Sequence, residues 1–122
     1  MKDNWINKKI LVAEDEMLNF TLIRLILQSN NFKITHASNG EKAVNFSKSE
    51  KFDLILMDIK MPIMDGFEAT KEIRKFDSEI IIIAQTAYAF KREECLENGF
   101  TDYLSKPFNE EQLLKILEQY LD

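Results

Sequence analysis

The chain has 122 residues, a length that suits one compact domain. It is 45% hydrophobic and 30% charged, which is typical of a globular protein rather than a disordered or membrane-spanning one. The net charge of −5 disfavours direct nucleic-acid binding, and no apolar run approaches the roughly 20 residues that cross a bilayer, so we expect no membrane contact. A single cysteine, Cys95, cannot form an internal disulfide, so we expect a reducing, cytoplasmic location.

Residues 1–8 are predicted to form a short leader, and residues 9–122 a single domain. The leader carries Asp3, Asn4 and Trp5 and therefore lacks the long apolar core of a signal peptide. The chain contains only three glycines and two prolines, and it has no repeat or low-complexity linker that would divide it.

Short apolar runs alternate along the chain with longer amphipathic stretches. The continuous runs at 10–13, 54–57 and 80–84 favour strands that are covered by helices on both faces of a parallel sheet. The segment 32–37 alternates between apolar and polar residues, which is typical of an edge strand. A short fifth strand is predicted at 103–105, before Lys106.

Helical spacing of apolar residues marks the first and last amphipathic stretches, and we interpret both stripes as core. Their members are Leu18, Leu22, Leu25 and Ile26 in the first, and Leu113, Ile116, Leu117, Tyr120 and Leu121 in the last. Turn and cap residues predict the helix boundaries. Helices should begin at Asn39-Gly40, at Asp65-Gly66 and at Asn109, which has Gln112 three residues later, and one should end at Asn98-Gly99.

Five strand–helix units in this order predict a doubly wound α/β fold with a parallel sheet. In such sheets ligands bind beyond the carboxyl ends of the strands. The residues at those ends are therefore the candidates for chemistry: Glu14, Asp15 and Glu16 after the first run, Asp58 after the third, Thr86 after the fourth and Lys106 after the fifth. Carboxylates packed this closely need a counter-charge, which Mg²⁺ and the Lys106 ammonium would supply.

Four segments resemble the receiver domains of response regulators in two-component signalling. They are 13–16 (Ala-Glu-Asp-Glu), 57–66 (Met-Asp-Ile-Lys-Met-Pro-Ile-Met-Asp-Gly), and the pair of 86–87 (Thr-Ala) with 106–108 (Lys-Pro-Phe). The resemblance extends from about Lys9 to Leu121. It implies a flavodoxin-like (βα)5 fold with strand order 2-1-3-4-5.

The resemblance also implies a role for each residue at the strand ends. Asp58 would be the phosphoacceptor, and Thr86 and Lys106 would each bind a phosphoryl oxygen. Mg²⁺, or Mn²⁺ in its place, would be held by Glu14, Asp15, Asp58 and the backbone carbonyl of Lys60. The Lys106–Pro107 peptide bond would be cis.

The function implied is phosphorelay: Asp58 takes a phosphoryl group from a phosphohistidine, and the chain changes conformation. Thr86 and Tyr103 would switch together, and the affected face would comprise the helix beginning near Tyr88, the strand at Tyr103 and the last helix. The expected partners are a sensor histidine kinase, a histidine phosphotransfer domain, or both. We expect a monomer or a weak dimer, and no enzymatic activity beyond self-phosphorylation and self-dephosphorylation.

Two other functions stay open at this point. A pseudo-receiver would keep the fold as an interaction module without phosphorylation. An aspartate-nucleophile phosphohydrolase usually carries a second aspartate two positions after the nucleophile, where this chain has Lys60. His36 and Cys95 lack companion ligands, so we interpret both as structural. The chain is either a stand-alone regulator or the receiver of a hybrid histidine kinase, and we favour the second.

Overall fold

The computed structural model describes residues 3–87 and 92–122. Five parallel strands form one sheet in the order β2-β1-β3-β4-β5, as predicted. The strands are β1 (Lys9–Ala13), β2 (Lys33–Ala37), β3 (Leu54–Asp58), β4 (Ile81–Thr86) and β5 (Asp102–Ser105). The helices are α1 (Met17–Ser29), α2 (Gly40–Ser49), α3 (Gly66–Arg74), α4 (Arg92–Glu97) and α5 (Glu110–Leu121), and a short 3₁₀ turn (Asp3–Trp5) precedes β1.

Side-chain caps define where three of the helices begin, in agreement with the sequence. The side chains of Asn39 and Asp65 accept hydrogen bonds from the backbone N–H groups of the first turns of α2 and α3. Asn109 and Gln112 form a reciprocal capping box at the start of α5. After α4, Gly99 adopts a φ of 93°, a left-handed conformation that glycine reaches without strain.

Two hydrophobic clusters cover the two faces of the sheet. One packs α2, α3 and α4 against residues such as Leu11 and Ile55, and the other packs α1 and α5 against residues such as Val12 and Leu56. β3 is buried along its whole length, whereas β2 at the edge is only partly buried. This agrees with the continuous and the alternating apolar patterns of the two segments.

The prediction that the whole first stripe belongs to the core is wrong. Leu18, Leu22 and Leu25 are 66%, 53% and 53% exposed, while the face of α1 that meets the sheet carries Phe20, Ile23 and Leu27. Both faces of α1 are apolar, so spacing alone could not tell which of them would be buried. In the last stripe Leu113, Ile116 and Leu117 are buried as expected.

β4 continues beyond its predicted end at residue 84. Gln85 pairs with Asp58 of β3, and Thr86 pairs with Ser105 of β5. Pairing with both neighbouring strands therefore extends β4 over two polar residues. The same parallel register brings the ends of β1, β3 and β4 to one edge of the sheet. Within residues 3–87 and 92–122, no helix is long and apolar enough to cross a membrane.

Candidate functional site at the carboxyl edge of the sheet

An acidic pocket lies at the carboxyl edge of the sheet, around the ends of β1, β3 and β5. Asp58 is the last residue of β3, Glu14 follows β1 directly, and Lys106 follows β5. Because β1 and β3 are neighbours in parallel register, residues that follow them emerge next to each other. The Lys106 backbone N–H donates to the Thr86 carbonyl oxygen (2.8 Å), which fixes the lysine against the end of β4.

The Lys106 ammonium joins two of the carboxylates. Its Nζ donates to Glu14 Oε1 at 2.8 Å and to Asp58 Oδ2 at 3.0 Å. Asp15 completes the acidic cluster, since one carboxylate oxygen from each of Glu14, Asp15 and Asp58 lies within 4.8 Å of the others. Glu14 and Asp58 are buried and Asp15 is exposed, so the pocket opens to solvent on the Asp15 side.

The closeness of these charged groups, together with their burial, shifts the pKa values of Glu14 and Lys106. Burial, together with the nearby Asp58 charge, raises the pKa of Glu14 from 4.5 to about 7, although its hydrogen bond from Lys106 acts in the opposite direction. Burial alone would lower the pKa of Lys106, but its hydrogen bonds to Glu14 and Asp58 outweigh burial and raise it. Lys106 is therefore the positively charged member of the cluster, and its one ammonium is shared between the Glu14 and Asp58 carboxylates.

The donor set fits a hard divalent cation. Three carboxylates supply oxygen ligands, which Mg²⁺ prefers, and one ammonium leaves their negative charge only partly neutralised. A cation here would be held by Asp15, Asp58 and Glu14. Burial and the Asp58 charge, which together raise the pKa of Glu14, both disfavour its negative charge, and a bound cation would offset them.

The other candidate residues differ in their exposure and in what surrounds them. Lys60 is exposed beside it, and its backbone N–H donates to Asp58 Oδ1 at 3.3 Å. Thr86 is buried at the end of β4, and its neighbour Ala87 lines the pocket. Tyr103 is half-buried on β5 and packs against the α2–α3–α4 cluster. The predicted helix start near Tyr88 lies outside the described residues.

The loop between β3 and α3 holds Asp58 through close backbone packing. The Gly66 N–H donates to the Ile59 carbonyl oxygen at 2.7 Å, and a Cβ on Gly66 would lie 2.2 Å from the Asp58 carbonyl oxygen. Only glycine fits at this position, because the clash would be with the backbone and not with a movable side chain. In the same loop Ile63 has a φ of 71°, an uncommon and strained conformation for a β-branched residue. The Lys106–Pro107 peptide bond is cis, as the resemblance implied.

Two residues, one beside the pocket and one at the start of β5, make contacts that were not anticipated from the sequence. His36 Nε2 lies 2.7 Å from the Glu14 carbonyl oxygen, and its ring stacks on Phe20 at 3.7 Å, so it ties the end of β1 to α1. Asp102 is buried and accepts a 2.6 Å hydrogen bond from the Tyr120 hydroxyl and a 3.2 Å hydrogen bond from Arg92 Nε. These partners are 18 and 10 residues away in sequence, so no local spacing could have indicated them.

The chain is similar in sequence to a known protein family and to segments of known histidine kinases. Residues 10–118 match the family model of the response regulator receiver domain. Hybrid signal transduction histidine kinase I of Dictyostelium discoideum is 43% identical over 92% of this chain, and sensor histidine kinase GacS of Pseudomonas protegens is 37% identical over 89%. The matched regions are 7% and 13% of those proteins, so the chain spans a small part of their length.

Two solved structures are similar over nearly the whole chain. The receiver domain of sensor histidine kinase PA1611 from Pseudomonas aeruginosa PAO1 is 39% identical with a TM-score of 0.88, covers 94% of this chain and 98% of its own, and has a magnesium ion coordinated in its active-site cleft. The receiver domain of Ssk1 from Saccharomyces cerevisiae, crystallised with the histidine phosphotransfer protein Ypd1, was matched at 30% identity with a TM-score of 0.88, covering 96% of this chain and 90% of that one.

Proposed function

Because this chain belongs to the response regulator receiver domains of two-component signalling, we propose that Asp58 is its phosphoacceptor, taking the phosphoryl group from a phosphohistidine. The observation that carries the proposal is the double contact of Lys106 with Asp58 and Glu14 inside a cluster of three carboxylates. A carboxylate that is buried, oriented by an ammonium and adjacent to a candidate cation site is arranged for nucleophilic attack on phosphorus.

The proposed reaction is an in-line displacement at phosphorus. One Asp58 carboxylate oxygen forms the new O–P bond while the P–N bond of the phosphohistidine breaks and its electron pair returns to the imidazole nitrogen. Lys106 faces the negative charge of the phosphoryl oxygens. Water later hydrolyses the acyl phosphate and returns Asp58 to its carboxylate form.

The cation of this proposal is Mg²⁺, with Mn²⁺ as the alternative, held by Glu14, Asp15, Asp58 and the Lys60 backbone carbonyl. When bound, it supplies positive charge to the phosphoryl oxygens. The support is the oxygen-only donor set of this chain, together with the similarity to a receiver whose cleft holds magnesium. Asp58 is then oriented from two directions, by the ammonium and by the Lys60 N–H.

The proposed output is a two-state switch in which Thr86 binds a phosphoryl oxygen and Tyr103 moves with it. Thr86 is the last residue of β4, and the neighbouring strand β5 carries Tyr103. Because the two strands are paired, a movement of Thr86 would displace the part of β5 that contains Tyr103. The face formed by α4, β5 and α5 would then change and contact the next protein. Tyr88, which we also assigned to this face, lies outside the described residues.

The proposed donor is a helical histidine phosphotransfer domain or the kinase itself, and it would dock on an exposed apolar strip of α1. We define the α1 strip as Met17, Leu18, Leu22 and Leu25, which are all more than half exposed. The strip begins directly after Glu16, so a helical partner lying on it would hold its histidine close to Asp58. A similar receiver is known in complex with a histidine phosphotransfer protein. The cytoplasmic location and the monomeric or weakly dimeric state remain predictions.

Mass spectrometry tests the acceptor directly. Incubation with phosphoramidate and Mg²⁺ should add one phosphoryl group to the protein, and Asp58→Asn should abolish the addition. Asp53→Asn, at an exposed aspartate near the opposite end of β3, is the matched control and should label normally. Equal labelling of Asp58→Asn would refute the assignment, and no labelling of the wild type would favour the pseudo-receiver.

The phosphohydrolase alternative predicts a different result. Repeated turnover of p-nitrophenyl phosphate, abolished by Asp58→Asn, would support an enzyme rather than a signalling domain. Lys60 is exposed at the position where such hydrolases usually carry an acid–base aspartate, which argues against turnover. The hybrid-kinase origin is likewise proposed, on the similarity to receiver segments of long histidine kinases.

A further inference from the structure

His36 lies on β2 beside the acidic pocket and contacts the loop that carries two of the candidate cation ligands. Its Nε2 lies 2.7 Å from the Glu14 carbonyl oxygen. A carbonyl oxygen can only accept a hydrogen bond, so Nε2 carries the hydrogen and donates it. The ladder between β1 and β2 ends at the pair Ala13–Ala37. The imidazole therefore donates to a backbone carbonyl group that lies just beyond the end of the ladder.

The same ring also holds the other end of this loop, residues 14–16. It stacks on Phe20 of α1, with ring centroids 3.7 Å apart and planes inclined by 13°. The Phe20 backbone N–H in turn donates to the Glu16 carbonyl oxygen at 3.0 Å. One side chain thus contacts the first residue of the loop directly and is linked through Phe20 to the last.

Asp15 lies between these two fixed points, and its direction depends on the backbone. Its carboxylate is exposed and makes no hydrogen bond or ion pair within residues 3–87 and 92–122. The Glu14 side chain, by contrast, is held by Lys106 and by the Glu16 backbone N–H. The Glu14 carbonyl group and the Asp15 N–H belong to one planar peptide unit, so a donor that fixes the carbonyl oxygen also fixes the chain entering Asp15.

We propose that His36 is a positioning residue for the cation site. Its hydrogen bond holds the peptide between Glu14 and Asp15 in the orientation that brings the Asp15 carboxylate close to the other two. The inference rests on the proposed function, to which the cation site belongs. His36 would not touch the cation, because it lies outside the cluster of candidate ligand atoms in the described part of the chain. Groups that orient metal ligands in this way typically change metal affinity by about 10–100-fold when they are removed.

Two variants separate the hydrogen bond from the ring. His36→Phe keeps a flat ring that can stack on Phe20 but has no donor, whereas His36→Gln keeps an N–H donor at a similar reach but has no ring. In calorimetry, the dissociation constant for Mg²⁺ should rise about ten-fold in His36→Phe and stay within about two-fold of the wild type in His36→Gln. Urea unfolding measures the stability of each variant separately. If the ring mattered only for packing, His36→Gln would be the variant with weaker Mg²⁺ binding.

NMR tests the hydrogen bond without any metal. At about pH 8, where an ordinary imidazole is neutral, long-range ¹H–¹⁵N correlation should show the His36 hydrogen on Nε2. The ¹⁵N resonance of the Asp15 amide should shift in His36→Phe and much less in His36→Gln, because an amide responds to the hydrogen bond on the carbonyl group of its own peptide unit. A hydrogen on Nδ1 alone would overturn the proposal.

The outcomes distinguish this inference from the proposed function. A wild type that binds Mg²⁺, together with a His36→Phe variant of equal affinity, would overturn the positioning role alone. An equal loss of affinity in His36→Phe and His36→Gln would also overturn it, since the donor would then make no difference. A wild type that binds no Mg²⁺ would overturn the cation site itself, and the positioning role with it.

Discussion

Glu14 of the acidic pocket is subject to two opposing effects, one that favours its protonated form and one that favours its carboxylate. It is buried beside Asp58, and burial raises its pKa to about 7, yet it is also one of the three candidate cation ligands. A proton and a cation would therefore compete for the same carboxylate near neutral pH.

Mg²⁺ affinity should consequently depend on pH. Between pH 6 and 8 Glu14 loses its proton, so the dissociation constant for Mg²⁺ should fall as the pH rises, which calorimetry can measure. Glu14→Gln should bind Mg²⁺ more weakly and show little pH dependence over this range. A wild-type affinity that stays constant from pH 6 to 8 would contradict the raised pKa.

The same shift bears on stability in the absence of Mg²⁺. The folded-state pKa of Glu14 lies above its ordinary value of 4.5, so between these values the folded protein binds more protons than the unfolded chain. The contribution of Glu14 to stability is therefore fully present below about pH 4.5 and is lost as the pH rises through about 7. Glu14→Gln, which cannot ionise, should lack this component of the stability profile measured by urea unfolding.

Among the helices, α1 has an exposed apolar surface that does not take part in packing against the sheet. Its buried face packs on the sheet, while the α1 strip faces solvent next to the acidic pocket. An exposed apolar surface in this position favours a partner contact over a structural role.

Leu18→Glu should therefore separate docking from chemistry. With a phosphorylated histidine phosphotransfer domain that labels the wild type, the rate of transfer should fall at least about ten-fold, because an apolar contact is replaced by a charge. Labelling by phosphoramidate should be unchanged, since Leu18 does not line the pocket. Leu96→Glu, an exposed leucine on α4, is the control and should transfer normally. Loss of both labelling reactions in Leu18→Glu would indicate damage to the fold instead.

Contacts between α4, β5 and α5 meet at the buried carboxylate of Asp102. Tyr120 of α5 donates to it at 2.6 Å, and Arg92 of α4 donates to it at 3.2 Å. Burial and the Asp102 charge raise the pKa of Tyr120, so its hydroxyl stays protonated and continues to donate. Asp102 therefore ties both helices to the strand that bears Tyr103.

Tyr120→Phe should destabilise the protein by about 1–2 kcal/mol in urea unfolding, because it removes a hydrogen bond to a buried charge. Arg92→Gln should have a smaller effect, because its guanidinium is exposed and solvent screens the pair. A Tyr120→Phe variant as stable as the wild type would mean that solvent replaces the lost hydrogen bond.

At the scale of the whole molecule, cation binding at the acidic pocket should be coupled to folding. Three carboxylates come together only in the folded sheet, so Mg²⁺ should bind the folded chain far better than the unfolded one. When the free concentration of such a ligand is 100 times its dissociation constant, binding adds about 2.7 kcal/mol to the free energy of unfolding. Thermal unfolding should show a Tm that rises with Mg²⁺ concentration.

Two neighbouring variants check this coupling. Asp15→Asn removes an exposed member of the cluster and should abolish most of the Mg²⁺-dependent rise in Tm. Glu16→Gln changes the charge of the next residue, which is exposed and outside the cluster, and should keep the rise. An equal loss in both would indicate a nonspecific effect of negative charge.

The order of the elements and most of their boundaries could be predicted from the sequence, because they depend on local chemistry. Apolar runs of strand length marked the strands, and residues such as Asn39, Asp65 and Asn109 marked helix starts that the structure confirms. The candidate residues at the strand ends could be chosen for the same reason, since the carboxyl ends of parallel strands always lie at one edge of a sheet.

Only the tertiary structure decided which apolar face of α1 would be buried and which polar groups would find partners. Leu18 and Ile23 are equally apolar, and packing against the sheet alone distinguishes them. The contact of Tyr120 with Asp102 and the buried carboxamide of Gln85, which has no partner within the described part of the chain, depend on residues far apart in sequence. The sequence predicted that Lys106 would lie near the carboxylates, and the structure shows that it contacts Glu14 and Asp58. The sequence by itself determined the order of elements and the residues available at the sheet edge, because those follow from local preference. The distances, burial and charge balance that decide what those residues can do arise only when the sheet brings distant segments together.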